Sequence, residues 1–162
     1  GRGPWGNYSD RKTSTFVDRY QSPIAEMVTK YVTPQENDHH TDTKWLALTQ
    51  KSGRGLLFVA DDRFEFNASN YLLETISNGE TLNNDAPVGT APINKHINAY
   101  KPSQLVDLFI DHSMQGVGGN NSWGQLPLDE YLIKPNKSTP VTYSFTIIPI
   151  DKTADINRYF ER

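Results

Sequence analysis

The sequence predicts an all-β, antiparallel, loop-rich fold, and three observations predict it. Short runs rich in β-branched and aromatic residues recur along the chain, while apolar spacing at helical period is weak. Several of these runs alternate apolar with polar residues, the pattern of a strand with one buried and one solvated face. Aromatic residues make up 11%, and 10 Pro and 11 Gly break the chain at intervals too short for long helices.

The first predicted strand is Thr43–Thr49 (TKWLALT), with Trp45 assigned to the core. Lys51-Ser52-Gly53 supplies a turn, so Gly55–Ala60 (GLLFVA) is expected to fold back as the second arm of a hairpin. Asp61-Asp62 is read as a solvated reversal before a third strand, Arg63–Ala68 (RFEFNA). Tyr71–Ser77 is read as a short helical turn, and Asn78–Pro92, rich in Asn, Gly and Pro, as a loop. Further strands are predicted at Leu105–His112, Glu130–Lys134 and Val141–Pro149. Between them Gly116–Gly124 (GVGGNNSWG) reads as a glycine-rich loop. Ile156, Tyr159 and Phe160 share a helical face, which predicts a C-terminal helical turn.

Composition narrows the function. With 162 residues the chain suffices for one ordinary domain. The formal net charge of -3 supplies no basic patch, so neither nucleic acid nor a membrane is expected as a partner. The absence of Cys removes disulfides, thiolate metal sites and cysteine nucleophiles. No apolar run reaches the roughly 18 residues that span a bilayer. Gly1-Arg2-Gly3-Pro4 does not read as a natural start, and a piece of a longer polypeptide is expected. His39-His40 is assigned to a polar loop rather than to a metal site, because adjacent side chains of an extended segment diverge. Asp111, His112 and Ser113 are consecutive and cannot form a triad among themselves.

Three segments carry more sequence than a generic β domain needs: GRGPWGNYSDR (Gly1–Arg11), YVTPQENDHHTDTKWL (Tyr31–Leu46) and IDHSMQGVGGNNSWG (Ile110–Gly124). In this order they resemble three signatures of the C-terminal, small-chain domain of large multi-domain bacterial β-galactosidases of glycoside hydrolase family 2. Those signatures read G-x-G-P-x-E-N-Y-x-D-R, Y-V-x-P-Q-E-N and I-D-x-x-x-M-G-[IV]-G-G-D-D-S-W. The resemblance runs from Gly1 to about Ile150, with Ser77–Ile93 as an insertion and residues 151–162 as a tail. Three departures stand out. Gly6 replaces Glu, Met114-Gln115 inverts the usual order, and Asn120-Asn121 replaces a pair of Asp, removing two charges.

The resemblance implies an antiparallel β-sandwich of the galactose-mutarotase-like, or supersandwich, kind, of which residues 1–150 would be the C-terminal portion. It implies a parent that hydrolyses terminal β-D-galactosides with retention. The catalytic carboxylate pair, and the magnesium and sodium sites, would lie in upstream domains, so no catalytic residue, metal ligand or cofactor is assigned to this chain. The resemblance makes Trp123 an apolar platform for sugar, carried by a loop comprising Gly116, Gly118, Gly119, Asn120, Asn121 and Ser122. Partners would be a galactoside, the upstream domains of the same polypeptide and further copies of it, in the cytoplasm or periplasm of a bacterium. From the residues alone, two alternatives stay open: a stand-alone carbohydrate-binding module using Trp123, Trp5 and Tyr8, or a purely structural β-sandwich domain. Asn7-Tyr8, Asp10-Arg11 and Gln35-Glu36-Asn37 are read as fixing local loop geometry by hydrogen bonds.

Overall fold

The continuous apolar run at Leu56–Val59 forms the first part of a long strand that is paired along both edges there. The computed structural model describes residues 1–32, 35, 37–73, 101–121, 124–138 and 140–159. Among the described residues six strands are defined: β1 (Arg2–Gly3), β2 (Phe16–Val17), β3 (His40–Thr49), β4 (Gly55–Ser69), β5 (Asp107–Asp111) and β6 (Phe145–Ile150). β1 and β2 pair antiparallel as a two-stranded ribbon. The other four make one sheet in which β4 is the hub, neighboured by β3, β5 and β6. β3 and β6 both run antiparallel to β4. The fold class is therefore all-β and antiparallel, as the alternation predicts and as a β-sandwich requires.

The chain divides into two compact units. The first comprises Gly1–Tyr20, His40–Phe66 and Ile110–Arg162, the second Gln21–His39 and Asn67–Phe109. In the first unit Leu57, Phe58, Phe64 and Phe66 of β4 form the apolar core, and the Phe145 ring lies against Phe58 and Phe64 at centroid distances of 6.3 and 6.1 Å. Leu57 and Phe58 are adjacent and both buried, so β4 is covered on both faces there. In the second unit Asn67 is buried, and its side-chain amide donates to the carbonyl of Asn37. Asn37 also accepts the Thr29 N–H at 2.9 Å and donates to the Gln35 carbonyl at 3.0 Å, the structural role read for that motif.

The hairpin is where the sequence puts it. Leu48 faces Leu56, Thr49 faces Gly55, and the turn closes with Gln50 N–H donating to the Arg54 carbonyl at 2.8 Å. Gly53 sits at φ 81°, which a residue with a Cβ adopts only under strain.

Several expectations are corrected. Asp61-Asp62 is exposed but is not a reversal: β4 runs unbroken through it from Gly55 to Ser69. The excess residues are absorbed as a register shift, since Thr43 faces Phe64 while Trp45 faces Val59. Asp61 donates its N–H to the Ser144 carbonyl at 3.2 Å and accepts the Ser144 hydroxyl, so the bulge is tied to the approach of β6. Glu130–Lys134 forms no strand: a 3-10 turn occupies Asp129–Tyr131. Its Tyr131 carbonyl accepts the Gly116 N–H at 2.9 Å instead of entering a ladder. His39 and His40 are buried rather than solvated. The His40 ring stacks on Phe66 at 5.0 Å, with Nδ1 3.0 Å from the Arg2 carbonyl. Trp45, beside the register shift, is only half-buried, because the Phe side chains of β4 fill the core. Strand ends also shift: Leu105–His112 shortens to Asp107–Asp111, and Val141–Pro149 becomes Phe145–Ile150. The C-terminal turn is 3-10, at Ile156–Tyr159. Most of Tyr71–Ser77, all of Asn78–Pro92, and Phe160 lie outside the described residues.

Candidate functional site

The glycine-rich loop of the third motif follows β5, and its described residues are 116–121 and 124. Three of its glycines lie in the left-handed region, Gly118 at φ 69°, Gly119 at 85° and Gly124 at 74°. Such a chain has little conformational preference of its own and must be held from outside.

It is held at successive points. Met114 N–H donates to Glu65 Oε2 of β4 at 2.6 Å. Gly116 N–H donates to the Tyr131 carbonyl. Asp10, from the first motif, receives the next two amides: Val117 N–H donates to Oδ1 at 3.1 Å and Gly118 N–H to Oδ2 at 2.8 Å. Two successive amides converging on one carboxylate make a small anion nest, with hydrogen bonds strengthened by the charge. Gly116 is buried directly against this carboxylate: a Cβ there would stand 2.6 Å from Asp10 Cγ and Oδ2 and 2.9 Å from Tyr131 Cβ. On the far side of the loop the Asn121 amide donates to Gln125 Oε1 at 2.6 Å. An open hollow of about 500 Å³ borders the loop, lined by Asp10, Arg11, Gly118, Asn120, Leu128 and Tyr131.

The platform of Asp10 is itself fixed. Asn7 is fully buried and bonds across to Thr41 of β3, while its amide donates to the carbonyls of Arg2 and Trp5. Tyr8 and Arg11 bridge antiparallel, with Arg11 N–H donating to the Tyr8 carbonyl at 2.8 Å. Asp42, at φ 54°, accepts Arg2 Nε at 2.5 Å, Lys12 Nζ at 3.2 Å and Arg63 Nη1 at 3.3 Å. Burial pushes its carboxyl pKa up, but the hydrogen bonds and charges of Arg2 and Lys12 outweigh that and hold it below the ordinary aspartate value.

Of the residues singled out from the sequence, Gly116, Gly118, Gly119, Asn120 and Asn121 thus lie on one loop fastened by the first motif. Ser122 and Trp123 lie outside the described residues. Trp5 is 65% exposed and Tyr8 is buried. The chemistry at hand is positional. The Asp10 and Glu65 carboxylates are engaged by backbone amides, and among the described residues no cluster of three His, Asp or Glu could hold a metal ion. Glu65 carries no signal in the sequence, and the local role that the sequence suggests for Asp10 gives way to bonds that reach across the chain. Only its place in a motif separate from the loop hinted at such reach.

The sequence profile of the family described as Beta galactosidase small chain matches residues 1–147. A β-galactosidase of Priestia megaterium is 30% identical over 152 residues, covering 93% of this chain and 13% of that protein. One from Vibrio cholerae is 33% identical over 133 residues, 82% of this chain and 11% of its own length. One from Pseudoalteromonas haloplanktis is 26% identical over 147 residues, 91% of this chain and 12% of its own. The chain therefore spans no more than 13% of the length of these three relatives.

Proposed function

The chain belongs to the β-galactosidase small-chain family, and we propose from this that it is the C-terminal portion of a retaining β-galactosidase acting on terminal β-D-galactosides. Residues 1–150 are the end of the small-chain sandwich domain and 151–162 a tail. The carboxylate pair, about 5–5.5 Å apart in retaining enzymes, belongs to an upstream barrel domain, together with the magnesium and sodium sites. This segment contributes packing and one aromatic surface, Trp123. A pyranose has a face of C–H groups and a rim of hydroxyls, and an indole offers the former a flat apolar partner.

The observation that carries the reading is the fastening of the loop preceding Trp123. A glycine loop with no function has no need of two carboxylates and a backbone carbonyl to set its path. The similarity of residues 1–147 to the β-galactosidase small-chain family supports this substrate class.

Kinetics of Trp123→Ala in the full-length polypeptide test this. The Michaelis constant for a β-galactoside should rise by the equivalent of about 1–3 kcal/mol, with a smaller change in kcat, and Trp123→Phe should retain part of the binding. The isolated chain should not turn over a chromogenic galactoside. Unchanged kinetics in Trp123→Ala would remove the platform role. Sugar binding by the isolated chain alone would favour a free-standing carbohydrate-binding module.

A further inference from the structure

We propose that Asp10 is the positioning residue of the glycine loop: its carboxylate gathers the Val117 and Gly118 amides and so fixes the direction in which the loop leaves the protein toward substrate. The inference rests on the platform reading for its kinetic consequence, but not for its geometry.

Four observations meet at this side chain. The two amides are bound at 3.1 and 2.8 Å, one on each carboxylate oxygen, across more than a hundred residues of sequence. Gly118 takes the left-handed conformation, φ 69°, at one of the two amides that turn toward the anion. Gly116 is packed so closely on the carboxylate that no side chain fits between them. Beyond Gly118 the described backbone makes another left-handed step at Gly119, with nothing within 4 Å of where a Cβ would stand. Asp10 thus grips the loop backbone immediately before Gly119, where an added Cβ would meet open space.

The carboxylate form matters as well as its place. A carboxylate accepts on both oxygens, whereas an amide presents one acceptor and turns an N–H₂ group toward the second backbone N–H. Glutamate can accept on both oxygens too, but its extra methylene has to be accommodated where Gly116 already touches the side chain. Asp10→Asn should therefore release one amide, and Asp10→Glu should restore binding of both at a shifted loop position.

Trp123→Ala, Asp10→Asn and the double variant, all in the full-length polypeptide, provide the test. Two readouts are taken: hydrogen exchange of the peptide covering residues 115–121, and KM against kcat for a β-galactoside. In Asp10→Asn, exchange in that peptide should quicken while peptides from β3 and β4 stay as in the parent. KM should rise about tenfold with kcat changed far less, the loss expected for one charge-assisted hydrogen bond. In the Trp123→Ala background the same change should add little to KM. Parent-like exchange in Asp10→Asn overturns the proposal outright. So does quickened exchange with an unchanged KM when Trp123→Ala itself raises KM, since the platform would then work without the anchor. If Trp123→Ala is silent and Asp10→Asn still raises KM, the platform reading fails and the positioning role of Asp10 stands, acting through another residue of the loop. If both are silent, both ideas fall.

Discussion

Asn7 Oδ1 accepts two hydrogen bonds from Thr41, one from its backbone N–H at 3.0 Å and one from its hydroxyl at 2.6 Å, and neither residue is exposed. The same side chain donates to the carbonyls of Arg2 and Trp5, so one amide joins the opening segment to β3. Asn7→Ala leaves buried donors and acceptors on both sides without partners. We expect it to lower stability by about 3–5 kcal/mol, since each unsatisfied buried group costs about 1–3 kcal/mol. Asn7→Asp keeps the acceptor but loses both donations and buries a charge, and should be comparably damaging. Urea unfolding checks this; a loss of under about 1 kcal/mol for Asn7→Ala would contradict the assigned network.

Asp42 makes stability depend on pH. Its folded-state pKa is depressed below the ordinary value of about 3.9. A depressed carboxyl contributes fully above its unfolded pKa and loses that contribution as pH falls through the folded one. The window is therefore below about pH 4. Asp42→Asn tolerates the same left-handed backbone and removes only the charge. It should cost about 1–3 kcal/mol at neutral pH, mostly through the half-buried Arg2 and Lys12, and should flatten the acid limb. Arg63 is the most exposed of the three cations and should contribute least. Urea midpoints from about pH 3 to 7 decide it; an unchanged acid slope in Asp42→Asn would show that another group controls it.

Two glycines of the loop should respond differently to alanine. At Gly119 there is open space, so Ala meets only the strain of φ 85°, about 1–2 kcal/mol. At Gly116 an added Cβ displaces the Asp10 carboxylate and the Tyr131 side chain. Gly116→Ala should therefore release the Val117 and Gly118 amides and quicken their exchange, while Gly119→Ala leaves them protected. The opposite order would mean that Asp10 does not hold the loop.

The all-β class was legible because pattern is local. Alternation in Arg63–Ala68 predicts the burial of Phe64, Phe66 and Ala68, and Lys51-Ser52-Gly53 predicts the hairpin turn. The errors lie where a long-range partner overrode a local signal. Asp61-Asp62 looks like a turn by residue type, but β3 pairs with β4 both before and after it, and β6 pairs with β4 up to Ala60, which keeps the chain extended. Glu130–Lys134 alternates like a strand, yet its carbonyl at Tyr131 is claimed by Gly116. Histidines in a polar stretch look solvated until a Phe ring and a backbone carbonyl meet His40.

By itself the sequence determined the strand-forming character of the chain, the position of its glycine loop and, through three ordered motifs, its family, since each is encoded in residue type and short spacing. Only the tertiary structure decided how the motifs serve one another. Asp10 reaches Gly118, Asn7 reaches Thr41, and Asp42 gathers Arg2, Lys12 and Arg63. Hydrogen bonds and ion pairs act over a few ångströms of space, and residues far apart in sequence come within that range only once β4 has organised its neighbours.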